Sequence, residues 1–134
     1  MTLVIDASVA AKWVLPEVLW ERADALRLSG EPFIAPDLIF AEIGNALWKR
    51  AIQGEITAVI AVEALATATG LFSALAPMAA LAGRAAEIAI AMKHPIYDCF
   101  YLALAERERA PLVTADKKLL ALARAVKNIE VRAL

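Results

Sequence analysis

Short apolar, β-branched runs alternate with helix-length stretches along nearly the whole chain, and this alternation limits the possible folds more than any other feature. Thr2 to Ile5, Phe33 to Ala35 and Leu112 to Thr114 read as buried strands, because each is short and apolar. Leu71 to Leu75 reads as a further strand and Ile129 to Val131 as the last. Between them lie helical segments: Ser8 to Val14, stopped before Pro16, and Glu17 to Leu28, closed by Ser29-Gly30. Pro36 is expected to open a helix to about Ile52, in a position where its missing N–H costs nothing. Helices then follow at Glu55 to about Ala68, Ala79 to Met92, Tyr97 to about Arg109 and Lys117 to Val126. Such an order predicts an α/β fold, a three-layer α/β/α sandwich around a central parallel sheet.

The chain has 134 residues, which fits one domain spanning 1–134 with one substantial core. Its 14 basic and 15 acidic side chains nearly cancel, so bulk charge selects no partner. The single cysteine, Cys99, excludes an intramolecular disulfide and suits a reducing compartment. The opening MTLVIDAS has neither the positive n-region nor the apolar stretch of a signal peptide, and a cytoplasmic location is expected. Ala64 to Gly83 carries no charge and is long enough to span a membrane. Thr67, Thr69, Gly70, Ser73 and Pro77 interrupt it, so a helix end, a strand and a new helix start are expected there instead.

Against this apolar background four acids stand out: Asp6, Glu42, Asp98 and Asp116, each beside an apolar or small-residue run. Each alone has a structural explanation. Asp6, Asp98 and Asp116 could cap or charge the first turn of a helix, and Glu42 could be solvated on an amphipathic face. Capping does not explain the set. Glu42 falls inside a helix, with Asn45 on the same face, and Asp6 follows a strand too apolar for the surface. Thr114 and Asp116 are two apart and point the same way if extended. In a parallel sheet, ligands bind beyond the carboxyl ends of strands at a topological switch point, where Asp6 and Asp116 are expected to meet. Converging carboxylates repel unless a proton or cation neutralises them, and with Ser8, Asn45 and Thr114 the donor set is all oxygen. That chemistry suits Mg²⁺ or Mn²⁺ rather than zinc.

His94, the only histidine, reads as a surface-loop residue, and Cys99 as helix packing. Trp13, Trp20 and Trp48 read as core or interface anchors. No glycine-rich phosphate loop is present. A phosphoacceptor domain needs an Asp after its third strand, where the chain has Leu75-Ala76-Pro77-Met78. An Asp-nucleophile phosphatase would place a second Asp where Ser8 stands.

The segments MTLVIDASVAAKWVLPE, APDLIFAEIGNALWK, YDCFYLALAE and LVTADKKL resemble, in order and spacing, the PIN-domain ribonucleases of the VapC toxin type. The resemblance runs from Leu3 to Leu120 and implies a Mg²⁺- or Mn²⁺-dependent endoribonuclease that leaves a 5′-phosphate and a 3′-hydroxyl. It implies an acidic quartet of Asp6, Glu42, Asp98 and Asp116 as catalytic metal ligands, with Asp6 and Asp98 binding directly. Ser8, Asn45 and Thr114 match its supporting polar positions. Cys99 stands where many relatives have Ala, and Lys117 and Lys118 follow Asp116 where some carry a fifth acid. Lys12, Lys49, Lys117 and Lys118 are candidates for the RNA backbone. A cognate antitoxin and a homodimer, but no membrane, are the expected partners. The alternative is a catalytically inactive PIN-fold module that binds RNA or protein without turnover.

Overall fold

The computed structural model describes residues 1–134 and holds five strands in one sheet, in the order β3-β2-β1-β4-β5, every neighbouring pair parallel. The strands are β1 (Leu3–Ile5), β2 (Phe33–Pro36), β3 (Ala74–Ala76), β4 (Leu112–Thr114) and β5 (Val131–Ala133). The helices are α1 (Ala7–Ala10), α2 (Trp20–Arg27), α3 (Ile39–Ile52), α4 (Ala58–Thr69), α5 (Met78–Met92), α6 (Ile96–Glu108) and α7 (Lys117–Ala125). A 3₁₀ turn at Ala11–Trp13 extends α1.

All three residues of β1 and of β4 are buried, as expected of central strands covered on both faces. From β1 the chain steps to β2 and β3 on one side, then returns through α5 and α6 to place β4 on the other side. With right-handed crossovers, the reversal puts the two sets of helices on opposite faces of the sheet. It also makes the gap between β1 and β4 the topological switch point. Helix α6 is buried at every position from Cys99 to Ala105 because it runs through the middle of one layer.

Four boundaries differ from the sequence expectation. Pro36 does not open a helix. It closes β2, paired in register with Ala76, while the next N–H, from Asp37, donates to the Ala76 carbonyl at 2.8 Å. The Asp37 carboxylate then accepts the Met78 N–H at 3.0 Å, serving the start of α5 rather than that of α3. The third strand begins at Ala74, not Leu71, because the N–H groups of Leu71 and Phe72 still bond back to Ala68 and Thr69. The last strand begins at Val131 after a turn at Asn128, whose φ is 65°. Likewise α2 starts only at Trp20, since Leu19 is left-handed with φ 68°. Residues 64–83 divide into the end of α4, β3 and the start of α5, and no helix is long and apolar enough to cross a membrane.

Candidate active site

Asp6 is the first residue beyond β1 and is 5% exposed. Although it occupies the position before α1, its side chain makes no cap bond. Its carboxylate instead receives two hydroxyls: Ser8 Oγ donates to Oδ1 at 2.6 Å and Thr114 Oγ1 to Oδ2 at 2.9 Å. Both hydroxyl oxygens in turn accept backbone N–H groups from the loop after β4, Ala115 to Ser8 at 2.9 Å and Asp116 to Thr114 at 3.0 Å. The first and fourth strands are thus joined at their carboxyl ends through one buried carboxylate. Burial pushes the Asp6 pKa up to about 7 against the lowering effect of these hydroxyls, and the Glu42 charge adds to the rise.

Glu42 is half-buried on α3, and its Oε1 accepts the Tyr101 hydroxyl at 2.6 Å. Burial again raises its pKa, the tyrosine opposes this, and the charge of Asp98 raises it further. Asp98 lies in the first turn of α6, with Oδ2 2.9 Å from His94 Nε2 one turn earlier. Glu42 thus lies near enough to Asp6 and to Asp98 for the three negative charges to act pairwise through it.

Asp116 is placed differently. It is exposed at the start of α7, and its Oδ1 accepts the N–H groups of Lys118 (2.8 Å) and Leu119 (3.3 Å), so the capping explanation applies to it. Asn45, one turn beyond Glu42, is exposed and makes no hydrogen bond within the protein, unlike Ser8 and Thr114. Lys12 is paired with Glu17 at 3.3 Å. With Asp98 turned to His94 and Asp116 to its helix, no three Asp, Glu, His or Cys side chains form a closed ligand cluster.

Two members of the site escaped sequence reasoning. Tyr101 follows Asp98 by three positions on α6, the spacing at which helical side chains share a face. A tyrosine in a helix otherwise buried needs a hydroxyl partner, and that need was the available signal. His94 precedes Asp98 by four positions, a spacing that brings the two side chains together across Pro95. Cys99 is packing, as expected: fully buried, with its thiol raised by burial.

The residues present suit a hard divalent cation. The carboxylates and hydroxyls offer only oxygen, His94 being turned to Asp98, and the buried Asp6 carboxylate is bonded to two hydroxyls but to no positive side chain.

A parallel sheet with acids converging at its switch point defines a class of acidic-centre α/β domains. Within that class, the family model "PIN domain" matches residues 3–125, and the chain belongs to the PIN-domain family. It is 33% identical over 121 residues to "Ribonuclease VapC3" of Pyrobaculum aerophilum, covering 89% of this chain and 92% of that protein. The crystal structure of PAE2754 from Pyrobaculum aerophilum is similar, with TM-score 0.72 and 26% identity, covering 98% of this chain and 83% of that one. VapBC2 from Rickettsia felis, solved bound to a promoter DNA fragment, shares the fold at TM-score 0.71 and 13% identity, covering 100% and 99%.

Proposed function

We propose that the chain is a VapC-type toxin, an endoribonuclease that uses Mg²⁺ or Mn²⁺ bound at Asp6, Glu42, Asp98 and Asp116. The observation that carries this reading is geometric: the buried Asp6 carboxylate is fixed by Ser8 and Thr114 at the ends of β1 and β4, and Glu42 is held by Tyr101, one turn after Asp98 on α6. The name of its 33% identical relative supports RNA as the substrate.

When bound, the ion supplies Lewis-acid charge at the scissile phosphate and the means to activate water near neutral pH. The chain's own residues do the rest. Asp6, at the end of β1, and Asp98, at the start of α6, would bind the ion directly. Glu42 presents Oε2, the oxygen that Tyr101 leaves free. Ser8 and Thr114 fix both oxygens of Asp6, so the carboxylate does not have to reorient as charge develops. Asp116 keeps one oxygen on its cap and offers the other. The exposed Lys117 and Lys118, beside Asp116, meet the RNA backbone.

Phe40, Trp48, Val59 and Val62 are 45–70% exposed on α3 and α4, more apolar surface than one core requires. This surface is the one proposed for a second copy and for an antitoxin. The protein acts in the cytoplasm, where RNA and antitoxin are met.

The test is cleavage of single-stranded RNA by wild type and Asp98→Asn, with Mg²⁺ or Mn²⁺ and with chelator. Cutting that depends on the ion and is lost in Asp98→Asn is expected. Equal cutting by both proteins, contaminating nuclease excluded, sinks the assignment.

A further inference from the structure

We infer that Tyr101 is the positioning residue that sets Glu42 for cation binding, an assignment resting on the reading of the acidic centre as a metal site. The Tyr101 ring is 1% exposed within α6, and its hydroxyl reaches across to α3 to donate to Glu42 Oε1 at 2.6 Å. That distance is in the range of a hydroxyl donating to an ionised carboxylate. No other side chain or backbone group donates to the Glu42 carboxylate, so this bond is its one polar tether within the protein. Without it, a half-buried Glu would keep much of its side-chain freedom and would have to lose it on binding an ion.

The choice of donor matters as much as the bond. A lysine or arginine here would hold Glu42 equally well, but its charge would cancel the negative potential that attracts a cation. A phenol directs the carboxylate and remains neutral. Burial first, then the charges of Glu42, Asp6 and Asp98, keep the Tyr101 pKa well above its ordinary value, so it remains a donor. Tyr101 and Asp98 are also three apart on one helix, so α6 presents a ligand and the donor that aims a second ligand together.

A double-mutant cycle tests this. Mn²⁺ affinity is measured by titration calorimetry for wild type, Tyr101→Phe, Glu42→Gln and the double variant. Tyr101→Phe is expected to weaken Mn²⁺ by about tenfold, yet by less than about twofold when added to Glu42→Gln. Equal weakening in both backgrounds would assign Tyr101 to packing, and no weakening in the wild-type background would likewise overturn the inference. Wild type that binds no Mn²⁺ at all would instead overturn the metal-site reading beneath it. A measurement on wild type covers the case in which Tyr101→Phe does not fold: the Tyr101 hydroxyl proton should give a slowly exchanging NMR resonance that shifts on saturation with Mg²⁺. An unmoved resonance at saturation overturns the inference.

Discussion

Thr114 and Asp6, 108 positions apart in sequence, share a buried hydrogen bond of 2.9 Å from the threonine hydroxyl to Oδ2. The same hydroxyl oxygen accepts the Asp116 N–H at 3.0 Å, so a single side chain fixes both the central carboxylate and the loop beyond β4. Thr114→Val keeps the shape but leaves an acceptor and a donor without partners. It should lower stability in urea by about 1–3 kcal/mol, with Thr114→Ser close to wild type. Cleavage by the valine variant should fall about tenfold or more. A valine variant as stable and as active as wild type would show that the bond is incidental.

The pH dependence of stability follows from Asp6. Its pKa rises from 3.8 to about 7 on folding. Below the unfolded value both states hold the proton, and the contribution is fully present. Between the two values the folded protein keeps a proton that the unfolded chain releases, so stability falls as pH rises, and above about 7 the loss is complete. The linked free energy is about 4 kcal/mol at most. Urea midpoints without divalent ions, from about pH 4 to about pH 8, should fall more steeply for wild type than for Asp6→Asn. Parallel curves for the two proteins would contradict the raised pKa.

Divalent ions should reverse that trend. Cations favour the ionised acids, so Mn²⁺ affinity should rise with pH as Asp6 and Glu42 lose their protons. At a hundredfold excess over the dissociation constant, Mn²⁺ should stabilise the fold by about 2.7 kcal/mol. Asp98→Asn should lose most of this gain. Thermal melts with and without Mn²⁺ at several pH values measure it, and a pH-independent gain would count against carboxylate ligation.

Asp116 separates charge from capping. Asparagine caps helices about as well as aspartate, so Asp116→Asn should keep the stability of α7, whereas Asp116→Ala should lose about 1 kcal/mol. If Asp116 also serves the cation, both variants lose cleavage. Full activity in a stable Asp116→Asn protein would limit the residue to its cap.

The apolar face of α3 and α4 predicts self-association. Light scattering at micromolar concentration should give a dimer for wild type and a smaller species for Val62→Lys, since Val62 is 70% exposed and carries no core packing. A wild-type monomer would remove the dimer from the proposal.

The alternation of strands and helices was legible because β1, β2 and β4 are apolar enough to be nothing but buried strands. The element ends were less so, since hydrogen bonds made far away in sequence decide them. Pro36 has the local signature of a helix start, yet pairing with Ala76 keeps it in a strand. Leu71 and Phe72 look strand-like but are still tied to the end of α4. In the site, Asp6 and Asp98 could be read from their places at element ends, whereas Glu42, expected inside a longer helix, lies in the first turn of α3 because Pro36 stays in β2. The partners of Glu42 and Asp98 could not be read, because Tyr101 and His94 acquire their roles only when the folded sheet brings α6 within one hydrogen bond of α3 and Pro95 turns the chain.

The strand order has a consequence for the timing of synthesis. β1 leaves the ribosome first, but β4, its neighbour in the sheet, comes more than a hundred residues later. Until then Asp6 has Ser8 but not Thr114, Asp98 has no finished layer to stand in, and the centre of the sheet is half open. A nascent chain that has not yet made β4 therefore lacks the hydroxyl pair that fixes Asp6. The order of synthesis thus sets the order of assembly: Asp6 is made first and fixed last, once Thr114 has joined the sheet.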